Sequence, residues 1–211
     1  MKALILSGGY GKRLQPITNN LPKCLVEINN KPILLHWLEK LSRIGIKEFL
    51  INSHYLHNEV ENFVNKYSNK FNIKLKYEKE LLGTAGTLIQ NIDFFSNEDC
   101  FLVHCDNYTE DNLIEFKNKH KNRPKDCLFT MMLFEVENKK NVGIAEINDS
   151  NILKNFYEKQ PDAKGNLANA AIFILSNKFL DTIQNQNNNY YDFSRDVIKN
   201  FLNKIYTYKT K

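Results

Sequence analysis

The stretch that most constrains this chain lies near its start. Four apolar residues, Ala3–Leu6, run directly into the glycine-rich turn Ser7–Gly11, which is followed by the cations Lys12 and Arg13. The apolar run predicts a buried strand, and the glycines allow backbone conformations that are closed to other residues. A loop of this kind can aim successive backbone N–H groups at one anion, and an arginine can bind two phosphate oxygens at once. The sequence therefore predicts a phosphate-binding loop at the carboxyl end of a first strand.

Two familiar glycine motifs do not fit this loop. A P-loop requires a glycine five residues before its Gly-Lys pair and Ser or Thr after it, but Leu6 lies five residues before Gly11 and Arg13 follows Lys12. A dinucleotide-binding fingerprint requires a glycine three residues after Gly11, where Leu14 stands. From the glycines alone, a plain strand-to-helix turn with incidental cations remains an alternative.

Composition narrows the class of protein. A chain of 211 residues is long enough for one well-buried domain. Its formal charge of +5 comes from lysines interleaved with acids, which suits a small acidic substrate and gives no basic tail for nucleic acid. No apolar run approaches the ~18 residues of a membrane span, and strand residues follow Met1 without a signal peptide. The four cysteines form no C-x-x-C pair, so we expect a reduced, cytoplasmic protein without membrane or nucleic-acid partners.

Apolar periodicity predicts alternating strands and helices along the whole chain. The predicted strands after the first are Glu48–Ser53, Ile73–Tyr77, Cys100–Cys105, Cys127–Glu135, Asn141–Ile147, Ile152–Tyr157, Leu167–Leu175 and Lys204–Lys209. The predicted helices are Pro32–Ile44, Glu59–Tyr67, Asp111–Lys121 and Asp192–Leu202. This alternation indicates an α/β fold, a Rossmann-like three-layer α/β/α sandwich around a mainly parallel mixed sheet. Right-handed crossovers would bring the loops after the strands to one edge of that sheet.

A longer window around the first loop carries a family resemblance. The loop continues through Gln15–Thr18, Leu21–Val26 and Asn30–Leu34. Together these stretches resemble the signature G-G-x-G-T-R-L-x-P-L-T, P-K-P-L-V and N-K-P-x-L of the sugar-1-phosphate nucleotidyltransferases, also called nucleotide-sugar pyrophosphorylases. Lys12 replaces the usual Thr and Cys24 the usual second Pro, and neither change removes a charge or a glycine. The resemblance implies the nucleotide-diphospho-sugar transferase fold.

A second motif of that family is similar to Leu82–Leu88. There the small residues let a flat nucleobase lie close to the backbone, although a simple helix start with Thr84 as its cap is the plain alternative. The resemblance implies a nucleotide site made of Leu6, Gly8, Gly9, Gly11, Lys12, Arg13, Gly83 and Thr84. The L-G-T-A-G form is closest in style to mannose-1-phosphate and heptose-1-phosphate guanylyltransferases, which weakly favours GTP.

The predicted strand Cys100–Cys105 ends at Asp106. An acid just past a buried strand is poorly solvated unless it is paired or binds a cation. In the family an Asp at this place ligates Mg²⁺, so the resemblance implies that Asp106 holds Mg²⁺. The alternative is a cap for a helix over 107–116. His104 has no second nitrogen ligand nearby in the sequence, and we expect it to be structural.

The second half of the chain resembles the family's sugar-binding motifs. Phe156–Pro161 is similar to F-x-E-K-P, and other stretches are similar to G-V/I-x-E and N-A-G-I-Y. The resemblance assigns binding of the sugar phosphate to Lys23, Gly143, Glu158, Lys159 and Asn169. Gly143 would let the sugar approach the backbone, Glu158 would accept hydrogen bonds from hydroxyls, Lys159 would meet the phosphate and Asn169 would contact the sugar. An exposed ion pair on a hairpin is the alternative for Glu158 and Lys159.

The implied reaction is NTP plus sugar 1-phosphate giving nucleotide sugar and pyrophosphate. The nucleophile is a phosphate oxygen with a second pKa near ~6, so no general base is needed. Positioning and charge stabilisation then carry the catalysis. The resemblance implies that Arg13 stabilises the β- and γ-phosphates and that Lys23 lies between the α-phosphate and the sugar phosphate. Asp106 would contribute by holding Mg²⁺.

The resemblance also bears on domain organisation. It implies one nucleotidyltransferase domain, with a nucleotide-binding half over about 1–110, a sugar-phosphate half over about 111–211, and possible homo-oligomers. The family's D-I-G-T motif, which carries a second metal-binding Asp, does not occur in these 211 residues. We therefore expect either that the end of the family domain is missing or that this member lacks half of the metal site. Two other functions stay open: a cytidylyltransferase for a phosphorylated alcohol such as phosphocholine, and an inactive nucleotide-binding homologue.

Overall fold

The structure is a computed structural model that describes residues 1–160, 162–186 and 189–210. Pro161, the last residue of the F-x-E-K-P-like stretch, lies outside the described residues. The strands are β1 (Lys2–Leu6), β2 (Glu27–Ile28), β3 (Lys31–Pro32), β4 (Glu48–Ser53), β5 (Asn72–Tyr77), β6 (Cys100–His104), β7 (Phe129–Glu135), β8 (Gly143–Ile147), β9 (Leu153–Glu158), β10 (Leu167–Leu175) and β11 (Ile205–Lys209). The α-helices are α1 (Ile33–Arg43), α2 (His57–Tyr67), α3 (Gly83–Gln90), α4 (Leu113–Lys121) and α5 (Asn177–Asn185).

The main sheet is mixed, as predicted. Its strands run in the order β11-β7-β10-β6-β1-β4-β5, and β8 joins β10 from outside this row and pairs with β9. Four pairs are parallel: β1 with β4, β1 with β6, β4 with β5, and β11 with β7. Strand β10 is antiparallel to β6, β7 and β8. It therefore joins the parallel part of the sheet to the β8–β9 hairpin.

Helices cover both faces of the sheet, which confirms the three-layer prediction. The side chains of β1 alternate between two cores, because successive side chains of a strand point to opposite faces. Ala3 and Ile5 belong to a cluster that includes residues of α1, α2 and α4. Leu4 and Leu6 belong to a second cluster with α3, α5 and the helical segment 193–201. No helix among the described residues combines the length and apolarity needed to cross a bilayer.

Two helical regions differ from the sequence prediction. Helix α5 was not predicted, yet Ser176 caps it, since the Ser176 hydroxyl accepts a hydrogen bond from Phe179 N at 3.1 Å. The predicted helix over Asp192–Leu202 is a π-helical turn, Phe193–Val197, followed by a 3-10 turn, Ile198–Phe201. Phe193 and Val197 are buried in the second core, although their spacing of four residues would suit an α-helix equally well.

The order of the strands positions the candidate site. The chain leaves β1 toward β4 and β5 on one side, whereas β6 lies on the other side. Ligands of open α/β sheets bind at the carboxyl ends of the strands where the order reverses in this way. Leu6 is paired with His104 in the register of β1 and β6, and Cys105 N donates to Leu6 O at 2.9 Å. The glycine loop after β1 and Asp106 after β6 therefore emerge side by side.

Candidate active site

Two adjoining cavities open at this edge of the sheet. The first has a volume of about 300 Å³, and the second is a broader cleft of about 930 Å³. Three side chains line both of them: His104, Asp106 and Asp192. The residues predicted to bind nucleotide and those predicted to bind the sugar phosphate thus fall mainly in different cavities with a common wall.

Glycines at two places leave room for close packing around the first cavity. A Cβ at Gly8 would lie 3.0 Å from Asn52 Nδ2 and 3.4 Å from Leu81 Cδ2, so a side chain there would crowd the walls of the cavity. Gly83 has a φ of +74°, and a Cβ on it would lie 2.3 Å from the carbonyl oxygen of Tyr191. Only glycine fits that position without moving the backbone. The two predicted glycine motifs therefore meet across one cavity.

Thr84 does not cap helix α3. The helix begins at Gly83, and the Thr84 hydroxyl accepts a hydrogen bond from Phe193 N at 2.7 Å. Ala85 N donates to the carbonyl oxygen of Tyr191 at 3.0 Å. These two bonds fasten the start of α3 to the segment that carries Asp192, and thereby fix one side of the cavity.

A buried polar network forms the inner end of the first cavity, and the sequence did not reveal it. Ser7 N donates to Asn52 Oδ1 at 2.7 Å, and Asn52 Nδ2 donates to Glu78 Oε1 at 3.0 Å. The Thr87 hydroxyl donates to the same Glu78 oxygen at 2.5 Å. One signal for Glu78 was present, because it directly follows strand β5 as Asp106 follows the predicted strand β6.

Lys23 and Asp106 form the charged end of the same cavity. Lys23 Nζ donates to Asp106 Oδ2 in an ion pair between half-buried side chains. Burial raises the pKa of Asp106, but the hydrogen bond and charge of Lys23 outweigh it and leave that pKa below its ordinary value. The carboxylate is therefore ionised at neutral pH, as a cation-binding group must be.

Asp106 is not a helix cap. Hydrogen bonds from α1 and to β10 hold the turn that carries it. Helix α4 begins at Leu113, where the Asn112 side chain accepts hydrogen bonds from two backbone N–H groups. Trp37 Nε1 donates to the carbonyl oxygen of Asn107 at 2.7 Å. Asn107 Nδ2 donates to the carbonyl oxygen of Ala170 at 2.7 Å. These bonds tie the turn to α1 and β10.

His104 lies between the two cavities. Its Nε2 atom is buried and has no hydrogen-bond partner among the described residues. Burial lowers the pKa of His104, while the negative charges of Asp106 and Asp192 oppose this effect. The sequence gave no reason to place this side chain at the site, since a single histidine on an apolar strand is normally structural.

The broader cleft gathers most of the predicted sugar-binding residues. Arg13, Gly143, Glu158 and Asn169 all line it. Burial raises the pKa of Glu158, and the nearby charge of Lys159 partly opposes this rise. Asn169 Nδ2 donates to the Ser194 hydroxyl at 3.1 Å, and its Oδ1 accepts from Ala171 N at 2.8 Å.

Packing within the β8–β9 hairpin explains why residue 143 is a glycine. A Cβ at this position would lie 2.3 Å from Phe156 Cζ and 2.7 Å from Glu158 Oε2. Glu158 is the cross-strand partner of Gly143 in the β8–β9 hairpin. The missing side chain thus makes room for Glu158 itself, and the predicted approach of a sugar to this backbone remains a prediction.

Three predicted residues line neither of the two cavities among the residues that the structure describes. Gly11 has a φ of +65°, and a Cβ there would lie 2.9 Å from Thr18 Cγ2, which makes it a turn residue. Lys12 Nζ lies 5.5 Å from the centroid of the exposed Tyr10 ring. Lys159 lines a shallow groove next to the cleft, with Glu158, Asp192 and Arg195 among its neighbours. Direct contact of these three with substrates stays a prediction.

Carboxylates at the first cavity could hold a divalent metal ion only together with other ligands. Within residues 1–160, 162–186 and 189–210, no group of three or more His, Cys, Asp or Glu side chains is arranged to hold a metal ion alone. Mg²⁺ is often bound by one or two carboxylates together with substrate phosphates. Asp106 offers one ionised carboxylate at the charged end of the first cavity, and Asp192 lines the same cavity.

Known proteins resemble the chain in sequence. Mannose-1-phosphate guanylyltransferase 1 of Arabidopsis thaliana is 35% identical over 190 residues, which cover 87% of this chain and 52% of that protein. The mannose-1-phosphate guanylyltransferase catalytic subunit beta of Drosophila melanogaster is also 35% identical over 190 residues, covering 87% of this chain and 50% of that subunit. The chain thus spans about half the length of the curated relatives it matches.

A solved structure and a family model complete the comparison. HddC from Yersinia pseudotuberculosis has a TM-score of 0.82 at 23% identity and covers 100% of this chain and 90% of its own, which confirms the predicted fold. The family model described as nucleotidyl transferase matches residues 2–210. With the glycine loop, the second glycine motif and Asp106 gathered at one sheet edge, this match shows that the chain belongs to the nucleotidyl transferase family, as its resemblance to the sugar-1-phosphate nucleotidyltransferases predicted.

Proposed function

We propose that the chain transfers a nucleoside monophosphate from an NTP to a sugar 1-phosphate and releases pyrophosphate. The observation that carries this proposal is the pair of adjoining cavities with a common wall at Asp106. A cation, Lys23, lines the first cavity, and another cation, Arg13, lines the second. Two adjacent sites with positive charge suit two anionic substrates that must react with each other.

The chemistry needs no general base. An oxygen of the sugar phosphate attacks the α-phosphorus, the new P–O bond forms, and the bond to the β-phosphate oxygen breaks as pyrophosphate leaves. The attacking oxygen is already largely ionised, because a phosphate monoester has a second pKa near ~6. The difficulty is the approach of two anions, so fixed positive charge and orientation lower the barrier.

The residues of the chain divide this work. Lys23 would hold the α-phosphate and the incoming phosphate, and Arg13 would stabilise the leaving pyrophosphate. Asp106 would hold Mg²⁺, which when bound neutralises phosphate charge. Glu158 and Asn169 offer an acceptor and a donor for hydroxyl groups of the sugar.

GTP is the favoured nucleotide, and the support comes from the relatives, which are named mannose-1-phosphate guanylyltransferases. The same relatives are named for mannose 1-phosphate, which makes it the first sugar 1-phosphate to test. A cytoplasmic location completes the proposal, since all four cysteines are free thiols.

The test is a matrix of five NTPs against several sugar 1-phosphates with Mg²⁺, in which pyrophosphate release is measured. We expect release to require both substrates and to be fastest with GTP. Release with CTP and phosphocholine, but with no sugar phosphate, would instead identify a cytidylyltransferase for a phosphorylated alcohol. Nucleotide binding without any release would identify a binding protein.

A further inference from the structure

We propose that His104 and Ala171 restrict the sugar 1-phosphate to one with a free hydroxyl group on C2, the carbon next to the phosphorylated one. The inference rests on the proposed function, because it assumes that the broader cleft holds the sugar phosphate. It concerns two residues that were not predicted to contact the sugar, and it limits which sugars the cleft accepts.

Ala171 has a backbone conformation that is uncommon for a residue with a side chain. Its φ is +52°, in the left-handed region that favours glycine. The pairing of β10 with β7 shifts between Asn169 and Phe173, and the Asn169 side chain accepts a hydrogen bond from Ala171 N at 2.8 Å. Irregular pairing of this kind often re-aims a side chain beside an active site.

The methyl group of Ala171 occupies space that a glycine would leave open. It packs against the second core and also lines the broader cleft. Among the described residues other than glycine that have a positive φ, Ala171 is the one that lines either cavity. Because glycine would take this conformation without strain, the alanine points to a role for its methyl group. The role that fits its place is to limit the size of a group bound beside it.

His104 supplies a hydrogen-bonding atom without a partner in the same region. Its Nε2 atom is buried and is unpaired among the residues that the structure describes. Buried polar atoms are nearly always paired, and an unpaired one costs free energy. His104 lines both cavities, so a substrate group that reaches their common wall can complete the pairing.

Strand pairing brings the two residues together near the reacting groups. Ile172 of β10 is paired with Val103 of β6 in antiparallel register, so Ala171 and His104 are the next residues on these adjacent strands. The phosphate of the sugar must reach the common wall of the cavities, because it reacts there with the nucleotide. C2 is the next carbon after the phosphorylated C1, and its substituent is therefore the one closest to this wall.

A hydroxyl group is the C2 substituent that satisfies both residues. It can donate to Nε2 or accept from it, so it pairs with either tautomer of a neutral histidine. A hydrogen atom at C2 would leave Nε2 unpaired. An acetamido group is several atoms larger and would press on the Ala171 methyl group, which is unfavourable in the way that overpacking is. The two residues therefore favour plain sugars over 2-deoxy and 2-acetamido sugars.

The experiment measures equilibrium affinity for sugar 1-phosphates by ligand-detected NMR. Binding is measured with α,β-methylene GTP, an analogue that cannot release pyrophosphate, and again without nucleotide. The ligands are mannose and glucose 1-phosphates, 2-deoxyglucose 1-phosphate, which lacks the C2 hydroxyl of both, and N-acetylglucosamine 1-phosphate. We expect mannose or glucose 1-phosphate to bind at least about tenfold more tightly than the 2-deoxy and the 2-acetamido sugars.

Variants assign the two preferences to separate residues. In Ala171→Gly the preference over the 2-acetamido sugar should fall to within about threefold, while the preference over the 2-deoxy sugar is unchanged. His104→Leu should have the opposite pattern, and His104→Gln, which keeps a hydrogen-bonding group, should restore part of the preference over the 2-deoxy sugar. Ala170→Gly is the matched control, because the Ala170 methyl group packs against the first core, and neither ratio should change.

The outcomes separate this inference from the proposed function. Each ratio compares two ligands on one protein and is independent of the folded fraction, and Ala171→Gly tests the size limit even if His104→Leu fails to fold. Equal affinity of the unaltered protein for all the sugars would overturn the inference, and so would ratios that are unchanged in Ala171→Gly and His104→Leu. Preferences that collapse in these variants support it even if no sugar phosphate yields pyrophosphate, a failure that would count against the proposed function alone.

Discussion

Removal of a single positive charge at either cavity should lower the rate of catalysis and leave the fold intact. Lys23 and Arg13 line different cavities, and both act on phosphate groups in the proposed reaction. We expect Lys23→Ala and Arg13→Ala each to lower kcat/KM by at least ~100-fold, because each removes a charge that stabilises the phosphoryl transition state by roughly 3 kcal/mol. Steady-state kinetics of pyrophosphate release measures this.

Lys12 is the matched control for this pair. It is adjacent to Arg13 and carries the same charge, but its ammonium group lies over the Tyr10 ring and it lines neither cavity in the described residues. Lys12→Ala should retain kcat/KM within about threefold. Near-normal turnover of Lys23→Ala or Arg13→Ala, with an unchanged melting temperature, would contradict their assignment.

Outside the linings of the two cavities, one carboxylate on α1 should make stability depend on pH. Lys31 and Lys70 donate to the two oxygens of Glu39 at 2.7 and 2.9 Å, and these bonds lower the pKa of Glu39 to about 2. A carboxyl group with a lowered pKa stabilises the fold above its unfolded pKa of about 4.3, and this contribution is lost as pH falls through the folded pKa. The stability advantage of the unaltered protein over Glu39→Gln should therefore shrink between about pH 5 and pH 2.

Urea unfolding at several pH values checks this expectation. Because the side chains concerned are partly exposed, the advantage at neutral pH should also shrink in 1 M salt. An advantage that persists at pH 2 would mean that packing of the Glu39 side chain, rather than its charge, is responsible.

At the scale of elements, the β8–β9 hairpin depends on the absence of a side chain. Gly143→Ala would place a methyl group 2.3 Å from Phe156 Cζ and 2.7 Å from Glu158 Oε2. We expect a loss of about 1–3 kcal/mol in the free energy of unfolding, as is usual for overpacking, and a raised KM for the sugar phosphate because Glu158 must move. Chemical denaturation and kinetics measure the two effects.

A second substitution tests the cause. Phe156→Leu shortens the side chain that the new methyl group meets, so the double variant should recover part of the lost stability. Additive losses in the double variant would show that the two positions do not interact and that the steric explanation is wrong.

Elements were predictable where one local pattern decides the structure. Apolar runs and alternation gave β1, β4, β6 and β10, and the Gly-rich motifs gave the loops at the sheet edge. The network around Glu78 escaped prediction, because Asn52 of β4 and Thr87 of α3 are distant in sequence. The place of His104 between the cavities escaped it because Asp192 comes from a distant segment. The irregular winding of the segment 193–201 also escaped prediction, because its apolar residues have the spacing of an ordinary α-helix.

At the scale of the molecule, the two halves share one sheet. Strand β10 of the second half pairs with β6 of the first, and Phe173 and Ile174 lie opposite Leu102 and Phe101. All four of these side chains are fully buried. Both cores therefore continue across the predicted division at about residue 110. The division into two ligand-binding halves stays a prediction.

This continuity predicts one cooperative unfolding transition. Fluorescence of Trp37, the single tryptophan, reports on the first half, and far-UV circular dichroism reports on the whole sheet. The two curves should coincide in urea. A fragment of residues 1–110 should show no cooperative transition and should aggregate, because it would expose the edge and apolar faces of β6. A soluble, cooperatively folding fragment would establish two independent units.

The two hydrogen bonds of the Asn52 side chain limit how this part of the protein can evolve. Its side chain accepts from Ser7 N of the glycine loop and donates to Glu78, so one amide supports both the loop and the carboxylate. A mutation at position 78 would change what Asn52 donates to, and a mutation at position 52 would disturb both Ser7 and Glu78. We therefore expect substitutions at positions 52 and 78 to have coupled effects on stability, so that a lineage can change either residue only with a compensating change at the other.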